Sequence, residues 1–256
     1  MADSLRLQNR PLTRRQGDYG FDAPYVPITL GSIGVCALLI GNLSAWYFHA
    51  LALAITFLAC GIFVLLSTAS YIYTTRWGKF QVWARILSQL QLDGSEHLLD
   101  MGCGRGAVLL MAAALLPRGK ATGIDLWKTN DQSGNAPSVT QHNAELESVA
   151  GRVELQTADM QRLPFVDESF DVVLSSLAIH NIPTLDGRRL AIHEAVRVLK
   201  PGGKLAIADI HGTQHYAEWL RELSMMAVTH RTLNWRFWYG GPWVATKLVS
   251  ARKPPL

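Results

Sequence analysis

Residues 97–127 read HLLDMGCGRGAVLLMAAALLPRGKATGIDLW. A short apolar run, His97–Met101, carries Asp100 near its end and passes into three glycines at alternate positions, Gly102, Gly104 and Gly106. An Ala/Leu-rich helical segment follows over Ala107–Leu116, and then a second strand-like run, Ala121–Asp125, closes on a carboxylate. In an open α/β sheet ligands bind beyond the carboxyl ends of the strands, where glycines admit a close backbone approach and a helix N-terminus favours negative charge. Asp125, at such a strand end, can accept hydrogen bonds from both hydroxyls of a ribose, so the unit predicts a site for a ribonucleoside-containing cofactor. The spacing is G-x-G-x-G, not the G-x-G-x-x-G of dinucleotide sites, and alone it does not name the cofactor.

Downstream, strand-like and helix-like segments keep alternating, which predicts a parallel sheet with helices on both faces. Further strands are expected at Arg152–Thr157, Phe170–Leu174 and Lys204–Asp209, with helices at Ser138–Ala150, Arg188–Leu199 and His215–Met226. Ser138 is a candidate cap for its helix. Two final strands flanking Tyr239–Pro242 (YGGP) predict an antiparallel hairpin and bring the total to seven.

Three more landmarks fall in register with these strands: TADMQRLPF (157–165), FDVVLSSLAIHNI (170–182) and LKPGGKLAIADI (199–210). With the first loop, the set resembles class I S-adenosylmethionine-dependent methyltransferases of the small-molecule and lipid branch, over roughly residues 87–253. The resemblance implies a seven-stranded Rossmann-like class I methyltransferase sheet and S-adenosylmethionine as cofactor. It implies that Asp100 and the backbone of Gly102, Gly104 and Gly106 hold the methionine part and Asp125 the ribose. Leu126 or Trp127 flank the adenine, with Asp159 and Met160 at its edge, and Ser175 and Leu177 approach the amino end and sulfonium through their backbone. The Asn/Asp-Pro-Pro-aromatic signature of many nitrogen-methylating enzymes is replaced here by SSLAIHN, which disfavours nucleobase and amide acceptors.

His180 is placed as a base for a hydroxyl or thiol acceptor, or as a residue that only shapes the pocket. His211 is a second candidate of the same kind. His193, Glu194 and Arg197 read as an ordinary helix face. The polar stretch 127–143, longer than the family's usual turn, is either a lid over adenine or substrate, or a plain surface excursion.

The N-terminal part is different in kind. No Asp, Glu, Lys or Arg occurs between Asp22 and Arg76, and Pro27–Phe48 and Ala50–Tyr73 are each long enough for the roughly 20 residues that cross a hydrocarbon core. They predict a transmembrane helical hairpin. Trp46 and Tyr47 would lie at one water boundary, and Tyr25, Tyr71, Tyr73 and Trp77 at the other. Arg6, Arg10, Arg14 and Arg15 before the hairpin and Arg76, Lys79 and Arg85 after it place both flanks in the cytoplasm. A signal peptide does not fit, because the apolar part starts late and runs too long. The alternative is a pair of buried helices in a soluble lid domain.

The expected organisation is a cytoplasmic tail (1–25), two transmembrane helices (26–75), an amphipathic connecting helix (76–94) and an S-adenosylmethionine-binding methyltransferase domain (95–256). The connecting helix carries Trp77, Phe80, Trp83, Leu87 and Leu90 at helical spacing and faces the membrane interface or the catalytic domain. A net charge of +4, much of it beside the hairpin, does not indicate a nucleic-acid partner. Cys36, Cys60 and Cys103 form no disulfide or metal framework, and no metal site is expected. The function expected is an integral-membrane methyltransferase with a small or lipophilic acceptor whose reacting atom stays open. A nicotinamide-dependent oxidoreductase and a non-catalytic membrane adaptor are the alternatives.

Overall fold

The structure, a computed structural model, describes residues 11–255. Arg6 and Arg10, counted above as cytoplasmic charges, lie outside the described residues.

Two long helices come first, α1 (Tyr25–Trp46) and α2 (Leu51–Tyr73), packed antiparallel. Their seam is made by small residues. A Cβ added to Gly34 would lie 2.8 Å from Leu65 Cγ and one added to Gly61 2.8 Å from Leu38 Cγ, so the glycines let the helices approach closely. Away from the seam the pair is apolar and exposed, with Ile28, Val35, Leu39, Leu53 and Ile55 all at least half exposed. Both helices are long and apolar enough to cross a membrane. They are not the buried helices of a lid domain.

A single π-type turn, Thr74–Gly78, carries α2 without a break into α3 (Lys79–Gln89). The expected connecting helix is therefore the end of one continuous 39-residue helix, Leu51–Gln89. The apolar face of its last segment (Phe80, Val82, Trp83, Ile86, Leu87) is buried against the sheet-forming part of the chain. The segment before α1 is not a free tail: Tyr19 is buried, its hydroxyl donates to Glu147 at 2.9 Å, and Asp18 pairs with Arg105 at 2.9 Å.

The sheet-forming part alternates as expected through β1 (His97–Met101), α4 (Ala107–Ala114), β2 (Lys120–Asp125), α5 (Pro137–Leu146), β3 (Val153–Thr157), β4 (Phe170–Ser176), α6 (Leu185–Val198), β5 (Leu199–Asp209), α7 (Thr213–Glu222), β6 (Met226–Thr232) and β7 (Lys247–Arg252). Among the described residues seven strands form one sheet in the order β3-β2-β1-β4-β5-β7-β6. β1 to β5 pair in parallel, and β7 runs antiparallel to both β5 and β6. The central strands are buried on both faces by separate apolar clusters, one containing α3 and α4 and the other α6 and α7. That explains why they read as continuous apolar runs.

Four local expectations are corrected. α7 stops at Glu222, and Met226, assigned to that helix, opens β6 instead, because Ser224 and Ala227 take positive φ (59° and 51°) and break the helical path. The strands flanking YGGP are not adjacent to it: β6 ends at Thr232 and β7 starts at Lys247, so residues 233–246 form a long connection. α5 ends at Leu146 and is entered through Pro137 with no side-chain cap, so Ser138 does not serve. β5 begins at Leu199, earlier than expected, because Leu199 pairs with Phe170 ahead of the Lys-Pro-Gly-Gly turn.

Candidate active site

The site lies beyond the carboxyl ends of β1, β2, β3 and β4, where the turns leaving these strands enclose a cavity with α3 as its far wall. The turn after β1 is fixed by its glycines, with φ of 77° at Gly102, 50° at Gly104 and 85° at Gly106. At Gly102 a Cβ would fall 2.2 Å from that of Ala178 in the turn after β4, so only glycine lets the two turns close on one another.

The N–H groups of this turn are not free donors. Those of Gly102 and Cys103 donate to Ile124 O (2.8 and 3.0 Å), that of Gly104 to Asp125 Oδ2 (2.8 Å), that of Arg105 to Gln132 Oε1 (2.7 Å) and that of Gly106 to Cys103 O (2.9 Å). The turn is thereby stapled to β2 and to the loop after it. Gly102 and Gly104 line the cavity, while Gly106 lies behind them at the start of α4.

Asp100 faces this cavity from the end of β1, buried, with its Oδ1 lacking any partner. Burial, and then the negative charge of Asp125, push its carboxyl up to about 7, against the opposing pull of the Leu109 N–H in the first turn of α4. A buried acceptor without a donor costs free energy unless a ligand satisfies it. A cationic or hydroxyl-bearing group is what this position fits.

Asp125 also lines the cavity, but it already accepts three protein hydrogen bonds, from Gly104 N, Trp127 N (2.6 Å) and Asn135 Nδ2 (3.1 Å). A carboxylate has about four lone-pair sites, so roughly one remains and two ribose hydroxyls do not fit on Asp125 alone. The neighbouring Asn135 Oδ1 is buried, lines the same cavity and has no partner, so the pair Asp125 and Asn135 together offers the two acceptors.

Leu126, Asp159, Met160 and Leu177 line the cavity, and Leu177 is held at φ 56° with its N–H on Ala208 O. Trp127 does not; its indole N–H donates to Thr157 Oγ1, at the end of β3, at 2.8 Å. Ser175 is buried behind the wall, donating to Met101 O at 2.8 Å and tying β4 to β1, and Ser176 takes its place in the lining. His180 stands just outside the lining, between Ala178 and Asn181. Its Nδ1 lies 2.5 Å from Asp209 Oδ1 and its backbone N–H donates to Asp209 Oδ2 at 3.0 Å. With Nδ1–H on that buried carboxylate, Nε2 carries the lone pair. His211 is exposed, its ring in edge contact with His180, 6.3 Å between centroids.

Several wall residues gave no signal in the sequence. Lys79 is buried in the wall by a bidentate pairing with Asp22, 57 positions earlier, at 2.9 and 2.8 Å. Tyr239 Oη (2.7 Å) and Gln132 Nε2 (3.2 Å) also donate to Asp22. Gln132, Asn135, Asp131 and Lys128 bring the 127–143 stretch over the cavity, so it covers the site instead of leaving it. The segment before α1 clamps that cover: Phe21 N donates to Ser133 Oγ (2.9 Å), Ser133 N to Phe21 O (3.0 Å) and Ala23 N to Asp131 O (3.1 Å). Among the described residues no cluster of three or more His, Cys, Asp or Glu could hold a metal ion.

Comparison with known proteins agrees with this geometry. Residues 99–207 match the family described as "Methyltransferase domain". Sterol 4-C-methyltransferase strm-1 of Caenorhabditis elegans is 34% identical over 131 residues, covering 51% of this chain and 36% of that protein. 27-O-demethylrifamycin SV methyltransferase of Amycolatopsis mediterranei is 34% identical over 125 residues, covering 49% of this chain and 42% of that one. The chain thus spans less than half the length of these relatives. Among solved structures, a geranyl diphosphate methyltransferase in complex with SAM superposes with a TM-score of 0.57 at 13% identity, over 72% of this chain and 90% of that chain. The seven-stranded sheet has the fold of that methyltransferase structure, and residues 99–207 within it match the methyltransferase domain family.

Proposed function

We propose that this chain is a membrane-anchored S-adenosylmethionine-dependent methyltransferase, with its catalytic domain on the cytoplasmic side and a small or lipophilic methyl acceptor. The observation that carries the chemistry is the cavity in which Asp100 Oδ1 and Asn135 Oδ1, both buried and unpartnered, face the same space as the glycine turn. Those two acceptors and Asp125 suit a ligand with an ammonium at one end and a ribose diol at the other.

In this reading Asp100 holds the amino group, Asp125 and Asn135 hold the ribose, and Leu126, Asp159 and Met160 border the adenine. Ser176, Leu177 and Ala178 flank the reacting sulfonium. S-adenosylmethionine, when bound, supplies an electrophilic methyl group. The protein's own task is alignment of the acceptor and exclusion of water, and the cover formed by residues 131–135 serves the second. For an acceptor that must lose a proton, His180 Nε2 is the base and Asp209 the residue that orients it.

Anchoring is supported by the exposed apolar surface of α1 and α2, which in water would be a large unpaired patch. Arg14, Arg76 and Arg85 flank the pair on one side, while Arg15 is paired with Glu147 at 3.4 Å. Lys79 adds no free charge there, since Asp22 neutralises it. The acceptor class rests on this location and on the sterol named in one relative. The other relative's name places its methyl on oxygen, so the acceptor atom is left open.

The test is transfer itself. Membranes containing the full chain, incubated with methyl-labelled S-adenosylmethionine, should put label into an organic-extractable compound, and the Asp100→Asn variant should put in about tenfold less at a cofactor concentration well below saturation. Label confined to water-soluble products would overturn the lipophilic acceptor, and no transfer to any extractable or soluble acceptor would overturn the methyltransferase reading.

A further inference from the structure

The connection from β6 to β7, residues 233–246, buries Leu233 and Phe237 in the apolar cluster on one face of the sheet and then climbs α2. Thr74, Ser70, Ser67 and Phe63 are spaced four, three and four residues apart and so share one face of that helix. Thr74 and Ser70 both donate to the carbonyl of Trp238 (2.8 and 3.3 Å), and Gly240 sits against Ser67. At the top Trp243 packs on Phe63 with ring centroids 5.3 Å apart, while at the bottom Trp235 stacks on Tyr73, also at 5.3 Å. From Thr74 to Phe63 the climb is about 16 Å at the helical rise of about 1.5 Å per residue.

That height matters for a bilayer. The part of α2 beyond the contact, from Leu51 to Ile62, is about 18 Å long, far short of the roughly 30 Å of a hydrocarbon core. A hairpin that spans must therefore carry the connection into the lipid with it.

The connection is built for that surrounding. Trp235 and Trp243 are 51% and 59% exposed. Its non-helical backbone is paired internally, with Tyr239 N on Val244 O (3.0 Å), Val244 N on Gly241 O (3.1 Å), Gly240 N on Trp238 O (3.0 Å) and the Trp238 indole N–H on Leu233 O (2.9 Å). Irregular backbone is tolerated at membrane depth only when so satisfied. Charge agrees: no Asp or Glu follows Glu222, whereas Arg231, Arg236 and Lys247 flank or lie within the connection, a balance complementary to an anionic lipid surface.

We propose that residues 233–246 form a third membrane-contacting element, whose Trp235 and Trp243 face lies against anionic lipid. The inference rests on the membrane-anchored reading. It also makes Tyr239 a mechanical link between lipid and site, because its hydroxyl bonds Asp22, the partner of Lys79 in the cavity wall.

The full chain can be tested in vesicles of phosphatidylcholine and phosphatidylglycerol whose acyl chains are brominated near the headgroup. Cys36 and Cys60 are exposed on the hairpin and Cys103 is buried, so a thiol-reactive fluorophore on the native protein reports hairpin depth. In a Cys36→Ala, Cys60→Ala background, Trp243→Cys and, separately, Trp235→Cys report the connection, and Val166→Cys reports the exposed catalytic surface. Quenching of at least twofold is expected at positions 243 and 235 and of the hairpin label, with none at 166. A quenched hairpin with unquenched labels at 243 and 235 would overturn this proposal and leave the anchor standing. An unquenched hairpin would overturn the anchor and this proposal together.

Discussion

The hairpin and the sheet use the same apolar residue types in opposite ways. Val35 on α1 is 50% exposed and Leu51 at the start of α2 is 70% exposed, whereas Val173 on β4 and Leu99 on β1 are wholly buried. The sheet is folded by withdrawing its side chains from water. The hairpin withdraws its seam of small residues and the Ser67–Tyr71 face beneath the connection, and in the membrane-anchored reading it leaves the rest to lipid. What joins the two regions is polar: Asp22, just before α1, is gripped by Lys79, Tyr239 and Gln132 at the cavity.

This contrast can be broken in four places, in order of expected effect. On the sheet side, His180→Asn keeps a polar side chain but removes the base. At saturating acceptor the maximal rate should fall about 10²–10⁴-fold across pH with cofactor affinity nearly unchanged. A retained rate would leave His180 as no more than the partner of Asp209.

At the joint, Asp22→Ala leaves the Lys79 ammonium, 5% exposed, without its counter-charge. Breaking a buried pair from one side costs about 3–5 kcal/mol. Chemical unfolding of the detergent-solubilised protein should show that loss while retention in membranes stays the same. Unchanged stability would mean that hairpin and sheet are not coupled through Asp22.

One substitution made on both sides tests the difference in solvent directly. Val35→Asp places a charge near the centre of α1 and should cost about 2.5–3.5 kcal/mol of insertion, read as release from membranes on alkaline washing. Val166→Asp, at a position 79% exposed on the catalytic domain, should change stability by about 0.5 kcal/mol or less. Equal, small effects would place α1 in water.

How far the sequence carried differs between the regions for a physical reason. Features set by neighbours in the chain were legible: the uncharged runs of α1 and α2, the β1–glycine turn–α4–β2 unit, Asp100, and the apolar strands up to β5. Features set by partners distant in the chain were not. Nothing local to Lys79 announces Asp22, and the spacing around Lys79 set it apart from the apolar face of the very helix in which it is buried. The apolar residues Met225–Val228 extend the pattern of α7, and only the positive φ of Ser224 and Ala227 turns them into β6. At YGGP the glycines, with φ of 97° and 152°, do turn the chain back on itself, Trp238 pairing antiparallel with Ala245, but the turn stands beyond the ends of β6 and β7 with Gly240 against Ser67 of α2, a placement that local turn chemistry cannot distinguish. In the site, the sequence indicated Asp125 for the ribose, but the bonds that nearly fill it come from the glycine turn at Gly104, from the neighbouring Trp127 N–H and from Asn135, which brings its idle oxygen there through the folding back of a loop.

The smallest effect bears on the cofactor site itself. Asp100 carries a buried acceptor whose carboxyl stands at about 7 in the ligand-free protein. A cationic amino group binds its ionised form, so affinity should hold above pH 7 and fall as pH drops below it, by up to about tenfold per unit, as each bound ligand must then expel a proton. Asp100→Asn should weaken binding about tenfold or more, the worth of one charge-assisted hydrogen bond, and should remove that pH dependence. Calorimetric titration of the full chain with S-adenosylmethionine at pH 8 and pH 6, wild type beside Asp100→Asn, reads all of this at once. Binding that weakens at pH 6 in the wild type and is weak at both pH values in the variant is the predicted result; no binding, or binding indifferent to both pH and the substitution, would contradict it.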